Sequence, residues 1–376
     1  MSHGPIEIDG DADFRPGNGV VGGSGEPGDP WLIAGWAFWT TEGVPAVRVI
    51  GATKPFAVVN CTFEGLASTW GVFVENATGG VNVSGCLFSS ADAALAAREA
   101  TGVRVVGSSG VVVENSIFEG VESPVLVDGC VDVSLAGNWA HSFGRAAFEA
   151  KNSVDVLVAN DVAKEEQADG SGGSGGGSGS SAGGGWGVWT YAAANVTVRN
   201  VTVQGTYGGA FLQGVNWSSL VSNVVAGTSV GAWLRQCRGV QVVGNAFIDD
   251  RVAGVWLEDV VDCSVTGNEV RGAGTCVVVK GGHEGTKVWE NACSAPKVLL
   301  PAWVAAVVLA SVAAASALAS RKVPELLERR ALERVRRLGD ELTASDSTGR
   351  ARASGASGDP RSGPARAAPS GRTSGE

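Results

Sequence analysis

The stretch GAWLRQCRGVQVVGN, Gly231 to Asn245, is followed at once in pattern by GVWLEDVVDCSVTGN, Gly254 to Asn268. Each line has a small residue, Trp, Leu, a charged residue, a short Val-rich run and a closing Gly-Asn. The Asn that closes such runs recurs at Asn115, Asn138, Asn160, Asn200, Asn223, Asn245, Asn268 and Asn291. The interval between successive markers is nearly constant, with one longer gap between Asn160 and Asn200. Asn60 and Gly85 hold similar places earlier in the chain.

A fixed period near 22, built of short alternating runs with Gly and Asn punctuation, predicts coils that stack on one another. The L-x-x-L-x-L pattern of leucine-rich repeats is missing, and a sandwich would not keep so constant a period. The expected fold is an all-β, right-handed parallel β-helix of about ten coils. At about 4.8 Å per coil such a rod is roughly 48 Å long. The long gap exceeds one repeat by little more than GSGGSGGGSGSSAGGG, Gly170 to Gly185. That stretch is a flexible insertion in a single coil, because the repeat resumes in phase.

The N-terminal line IEIDGDADFRPGNGVVGGSGEPGDPWLIAGWAF, with the coils that follow to about Asn291, resembles the NosD-like surface proteins of archaea with right-handed β-helix repeats. The resemblance implies the β-helix fold and repeats of a carbohydrate-binding and sugar-hydrolase type. The family's namesake delivers copper in the periplasm. This chain has three His (His3, His141, His283) and one Met, so the donors for a copper role are sparse.

The expected organisation is an N-terminal cap over 1–50, the β-helix over 51–297, a transmembrane helix over 298–320, a basic amphipathic helix over 321–343 and a disordered tail over 344–376. Val298 to Ser320 carries no charge from end to end and is long enough to cross a bilayer. Seven Lys/Arg lie between Arg321 and Arg337, against three between Val278 and Lys297. The positive-inside rule then puts the tail in the cytoplasm, with a partner of unknown kind, and the body outside. MSHGPIEIDG has no signal-peptide features. Export therefore needs a signal upstream of Met1, the alternative being a tail-anchored protein with a cytoplasmic body. Six Asn-x-Ser/Thr sites (Asn60, Asn76, Asn82, Asn195, Asn200, Asn216) suit an outside location, though Asn is also a corner residue here.

Residues 1–297 hold 16 Lys+Arg against 30 Asp+Glu, a net charge of −14. So acidic a body argues against nucleic acid as a partner. The seven Cys show no CxxC spacing. Cys61 and Cys86 hold equivalent places, where a buried stack is the default and a disulfide the alternative.

Strand alternation assigns the faces. With Ala232, Leu234, Val255 and Leu257 inside, Phe211, Trp233 and Trp256 point out, as do Gln213, Arg235 and Glu258. Counting back twelve from the markers extends the aromatic column to Phe73, Leu126, Phe148 and Val188. Counting back ten gives Glu75, Asp128 and Thr190 beside Gln213, Arg235 and Glu258. Flat apolar rings bordered by hydrogen-bonding groups suit a glycan. Phe211, Trp233, Trp256, Gln213, Arg235 and Glu258 are accordingly the candidate ligand-binding set. The alternative is that the rings stack on each other, or lie under the Gly-rich insertion or the cap. An enzyme of the pectate-lyase-like type, a lyase or hydrolase, would need gathered carboxylates, and Asp249, Asp250, Glu258, Asp259 and Asp262 are the candidates. A rod with a structural or adhesive role is the third reading. No metal ligand set and no cofactor is expected. Calcium has only the DGDAD of Asp9 to Asp13 to suggest it, and Val20 at its twelfth place excludes an EF-hand.

Overall fold

The computed structural model describes residues 1–40, 43–90, 97–165 and 185–294. The chain divides into two units, Met1–Lys297 and Val298–Glu376. The second unit lies outside the described residues, and with it the expected membrane helix, basic helix and tail. Among the described residues no helix is long and apolar enough to cross a membrane.

The first unit is the expected right-handed parallel β-helix. Three sheets run its length, each of eleven parallel strands, one coil more than the markers suggest. The additional coil comes from the stretch assigned to the cap: Ile6–Asp9, Trp31–Ala34 and Ala37–Trp39 are already one strand of each sheet. We call the sheet containing Val230–Arg235 sheet 1, that of Gln241–Val243 sheet 2 and that of Ala246–Ile248 sheet 3.

The corner from sheet 2 to sheet 3 is the same in all eleven coils. It is always two residues long. The first is left-handed every time, from Gly35 (φ 69°) through Asn115 (φ 50°) and Asn160 (φ 60°) to Glu290 (φ 53°). Gly and Asn suit that conformation because they tolerate positive φ. The second residue turns inward, and here the Asn side chains form a ladder. Asn223, Asn245, Asn268 and Asn291 are joined by Nδ2-to-Oδ1 hydrogen bonds of 2.9 Å. Each amide also donates to a main-chain carbonyl of the preceding coil, such as Asn245 to Leu220 at 2.9 Å. The buried amides are thus satisfied, which removes the penalty of burying them.

The interior is aliphatic with one aromatic column. Phe38, Phe63, Phe88 and Phe118 of sheet 3 stack at centroid spacings of 5.0, 4.6 and 4.7 Å with nearly parallel rings. Those spacings are the coil rise itself, so identical side chains repeat in register. Cys61 and Cys86 are both buried and free, in line with the stacked reading. The last coil carries a disulfide, Cys276–Cys293, that no spacing in the sequence signals.

Candidate functional site

Sheet 1 presents two outward columns. The pairing register aligns Trp189, Phe211, Trp233 and Trp256 on four consecutive coils. Beside them run Tyr191, Gln213, Arg235 and Glu258. The inward partners, Leu212, Leu234 and Leu257, are fully buried. The outward assignment of Phe211, Trp233, Trp256, Gln213, Arg235 and Glu258 therefore agrees with the register.

Three members of the extended columns are misplaced. Phe148 and Val188 are core residues, each 1% exposed. Glu149 and Trp189 stand in their places in the register. Likewise Thr190 is buried and Tyr191 holds the outer place. The cause is the marker. Asn160 and Asn200 occupy the first, left-handed corner position, whereas Asn138, Asn223, Asn245 and Asn268 occupy the second. In the coils of Asn160 and Asn200 the inward places go to Asp161 and Val201, so counting from Asn slips by one residue. A one-residue slip reverses the face. Trp189 and Tyr191 escape the sequence reading for this reason.

The rings touch each other. Phe211 to Trp233 is 5.2 Å between centroids, Trp233 to Trp256 is 5.7 Å and Trp189 to Phe211 is 5.9 Å, all tilted. Trp186, which follows the Gly-rich insertion, stacks on Phe211 at 5.0 Å and leaves it 9% exposed. Gly208 makes room for that indole, since a Cβ there would lie 2.1 Å from the ring. Phe211 is thus the floor of the cluster, while Trp189, Trp233 and Trp256 are half-buried and Tyr191 and Tyr207 exposed. Residues 170–184 of the insertion lie outside the described residues. Cations close both ends of the run: Arg145 over Trp189 at 5.0 Å and Lys280 over Trp256 at 4.7 Å. The indole N–H groups of Trp189, Trp233 and Trp256 lie buried without an acceptor, although a buried Trp usually finds one.

Toward the N-terminal end the column continues through Glu149, Leu126 and Arg104 to Phe73. Glu149 is fully buried and accepts from both Arg145 and Lys151 at 3.0 Å. Next to it opens a cleft of about 270 Å³ lined by Ser68, Thr69, Trp70, Thr101, Arg104, Glu122, Ser123, Leu126 and Arg145 with Gly43.

The candidate carboxylates do not converge. Asp249 and Asp250 precede the strand Ala253–Glu258, and Glu258 and Asp259 end it. A strand of that length separates the two pairs by about 17 Å, beyond the roughly 5–9.5 Å of a glycosidase pair. Asp250 is wholly buried and accepts from the backbone N–H and the hydroxyl of Thr228. Burial pushes its carboxyl up to about 6. Asp259 accepts from the Gly282 N–H, Asp262 pairs with Arg238 at 3.4 Å, and Glu258 lies 4.0 Å from Arg235. Asp250, Asp259, Asp262 and Glu258 thus each have a structural occupation. Two other carboxyls, the wholly buried Asp161 and the half-buried Glu165, are each pushed up by desolvation to about 7.

Residues 178–295 match the model of a family described as "Periplasmic copper-binding protein (NosD)", in agreement with the resemblance seen in the repeats. No protein of curated function matches in sequence. Among solved structures, the A-module of mannuronan C-5 epimerase AlgE6 from Azotobacter vinelandii is 15% identical. That match covers 79% of this chain and 91% of that one, with a TM-score of 0.47. The A-module of AlgE4 from the same organism is 14% identical over 76% and 90% of the two chains, with a TM-score of 0.42. DFA-IIIase from Arthrobacter chlorophenolicus A6 is 11% identical over 62% and 64%, with a TM-score of 0.45.

The residues present do not fit a copper centre. Among the described residues no three His, Cys, Asp or Glu side chains lie close enough together to hold a metal. His3 packs on Trp36 in the first coil. His141 ends a sheet 3 strand, and His283 bonds to the Gly281 carbonyl near the last coil. Five Cys are buried and free and two form the disulfide.

Proposed function

We propose that the β-helix binds a glycan or similarly extended polymer along the outer face of sheet 1. The observation that carries this is the in-register run of Trp189, Trp233 and Trp256, half-exposed on the outer surface and bordered by Tyr191, Gln213 and Arg235. A contiguous aromatic patch on a protein surface is uncommon without a use. Three indole N–H groups left without acceptors speak against stability alone as the reason for the stack. Rings repeating at about the coil rise suit a ligand that itself repeats along its length.

In this reading the protein is anchored by residues 298–320, with the body outside the cytoplasm and the basic tail inside. The Cys276–Cys293 disulfide favours that location, since such bonds persist in oxidising compartments. Affinity electrophoresis of the full-length chain through gels containing soluble polysaccharides tests the binding. Trp233→Ala with Trp256→Ala weakens retardation by roughly tenfold or more if two such contacts are lost. Unchanged retardation in the double variant, with its thermal midpoint near that of the parent, refutes the assignment of the face.

A further inference from the structure

The cleft at the N-terminal end of sheet 1 has chemistry of its own. Arg104 stands in the same outward column as Trp189, three coils earlier. Its guanidinium lies over the Trp70 ring at 5.0 Å, and Trp70 in turn stacks on Phe73 at 4.5 Å. A planar cation held flat on an indole is fixed in direction and keeps its edge for another partner. Arg104 makes no ion pair with any described residue, and its Nε is buried without an acceptor. The hydroxyl of Thr69, a residue only 4% exposed, lines the same cleft and also has no partner. Arg145 lines it too, but its charge is engaged by Glu149 at 3.0 Å. Among the described lining residues Glu122 is the one carboxylate.

The two outward columns of the face are close to balanced in charge. From the second coil to the last, the two outward columns carry Arg48, Arg104, Lys151, Arg235 and Lys280 against Glu75, Asp128, Glu149 and Glu258, a net of +1. Glu7 and Asp9 of the first coil bring the columns to −1. The body that bears them has a net charge of −14. Neither sign dominates the face as a whole, so the preference for an anion is local to the Arg104 cleft.

We infer that the Arg104 cleft is a subsite for an acidic group, carboxylate or sulfate, on the polymer that runs along sheet 1, with Arg104 and the Thr69 hydroxyl as its donors. This inference rests on the polymer reading for the path of the chain, though not for the subsite itself. Six coils separate Arg104 from Trp256, about 29 Å at the coil rise. An oligomer of about six sugars, one per coil rise, spans both.

The test uses the full-length chain and three hexasaccharides: hexagalacturonate, its carboxyl-reduced counterpart and a chondroitin sulfate hexamer. Calorimetry gives the affinities. Arg104→Met is expected to weaken the preferred acidic hexamer roughly ten- to a hundredfold, the range for a lost charge-assisted pair, and to leave the neutral hexamer unchanged. Arg104→Lys keeps the charge without the fork and falls between. Whichever acidic hexamer binds more tightly to the parent identifies the group. A second readout is the arginine Nε–H resonance that Arg104→Met removes. Free glucuronate or inorganic sulfate shifts it if the subsite exists, and glucose does not. Equal binding of acidic and neutral hexamers that depends on Trp233 and Trp256 but not on Arg104 overturns the subsite and leaves the polymer face standing. A glucuronate shift at Arg104 with no dependence of any hexamer on the two Trp sustains the subsite and overturns the polymer path. No shift with either anion overturns the subsite outright.

Discussion

Asp161 sits in a ladder built for asparagine, and the mismatch sets a testable pH dependence. Its Oδ1 accepts from the backbone N–H of Asn138 at 2.6 Å and from the Asn138 amide at 3.0 Å. Its Oδ2 is buried without a partner. In the preceding coil the equivalent atom is an amide nitrogen that donates to a carbonyl one coil further back, Asn138 to Val113 at 2.8 Å. The register puts Leu135 one coil after Val113, so its carbonyl is the acceptor that an amide at 161 would meet. A protonated carboxyl can imitate that amide; an ionised one leaves a charge beside a carbonyl. Burial accordingly pushes Asp161 up to about 7, partly offset by the Asn138 bonds. The unfolded chain ionises near the ordinary 3.8. The folded state therefore binds the proton more tightly. The contribution of Asp161 to stability is intact below about pH 4 and is lost as pH rises through about 7. A difference of about 3 between the two pKa values corresponds to about 4 kcal/mol above pH 7, at about 1.36 kcal/mol for each. Asp161→Asn should remove this loss. Thermal melts at pH 4 and pH 8 are expected to show nearly equal midpoints for variant and parent at pH 4. At pH 8 the variant should melt higher by roughly 8 °C, at about 2 °C per kcal/mol for a body of this size. A midpoint difference that does not change between the two pH values, or a variant that melts lower at pH 8, refutes the account of the mismatch.

Two further variants probe the core and the outer face. Phe88→Ala removes the centre of the stacked Phe column and should cost about 3–5 kcal/mol, read as a lowered denaturant midpoint. A loss below about 1 kcal/mol would mean that the column is not tightly packed. Glu149→Gln leaves Arg145 and Lys151 against a neutral amide. It is expected to destabilise by about 3–5 kcal/mol, as breaking a buried pair does, and to weaken the contact of Arg145 with Trp189. A change in tryptophan emission together with the lower melting point checks this, and a neutral effect on both counts against it.

The parts of the fold that are legible in sequence are those where geometry leaves the chain no choice. The corner from sheet 2 to sheet 3 never varies from two residues, and its first residue is always left-handed. Gly or Asn stands there in most coils, with the period of the coil, and from that period the β-helix follows. The ambiguity comes from the same place. Asn serves at the first position for its backbone and at the second for its ladder of amides, and sequence alone does not separate the two. Counting Asn160 and Asn200 with Asn138 and Asn223 turns Phe148 and Val188 outward on paper and hides Glu149 and Trp189. The first coil is equally hard to see, because Gly10 to Pro30 intervenes between its first two strands and destroys the period.

The Arg104 cleft is less legible than the fold because its chemistry comes from residues that the period does not mark. Arg104 meets Trp70 only because coils three and four of sheet 1 are adjacent; in sequence the strands Val81–Ser84 and Leu87–Ser89 come between them. Coil length varies at the other two corners: from sheet 1 to sheet 2 between Gly129–Cys130 and the long Gly10–Pro30, and from sheet 3 to sheet 1 between the single Gly120 and the long stretch between Lys164 and Trp186. Variation at the corner from sheet 3 to sheet 1, as at any corner of a regular rod, is what a scaffold allows when loops can change without disturbing the core. That corner borders both the face bearing Trp189, Trp233 and Trp256 and the Arg104 cleft. Thr69 and Arg145 belong to it, and Trp186, at the end of its longest excursion, covers Phe211. The same separation accounts for the fate of the acidic residues near Asp249. They lie on two different corners of a coil whose strand spacing is fixed, so closeness in sequence could not bring Asp250 to Glu258, whereas Arg104 and Trp70 are neighbours by register.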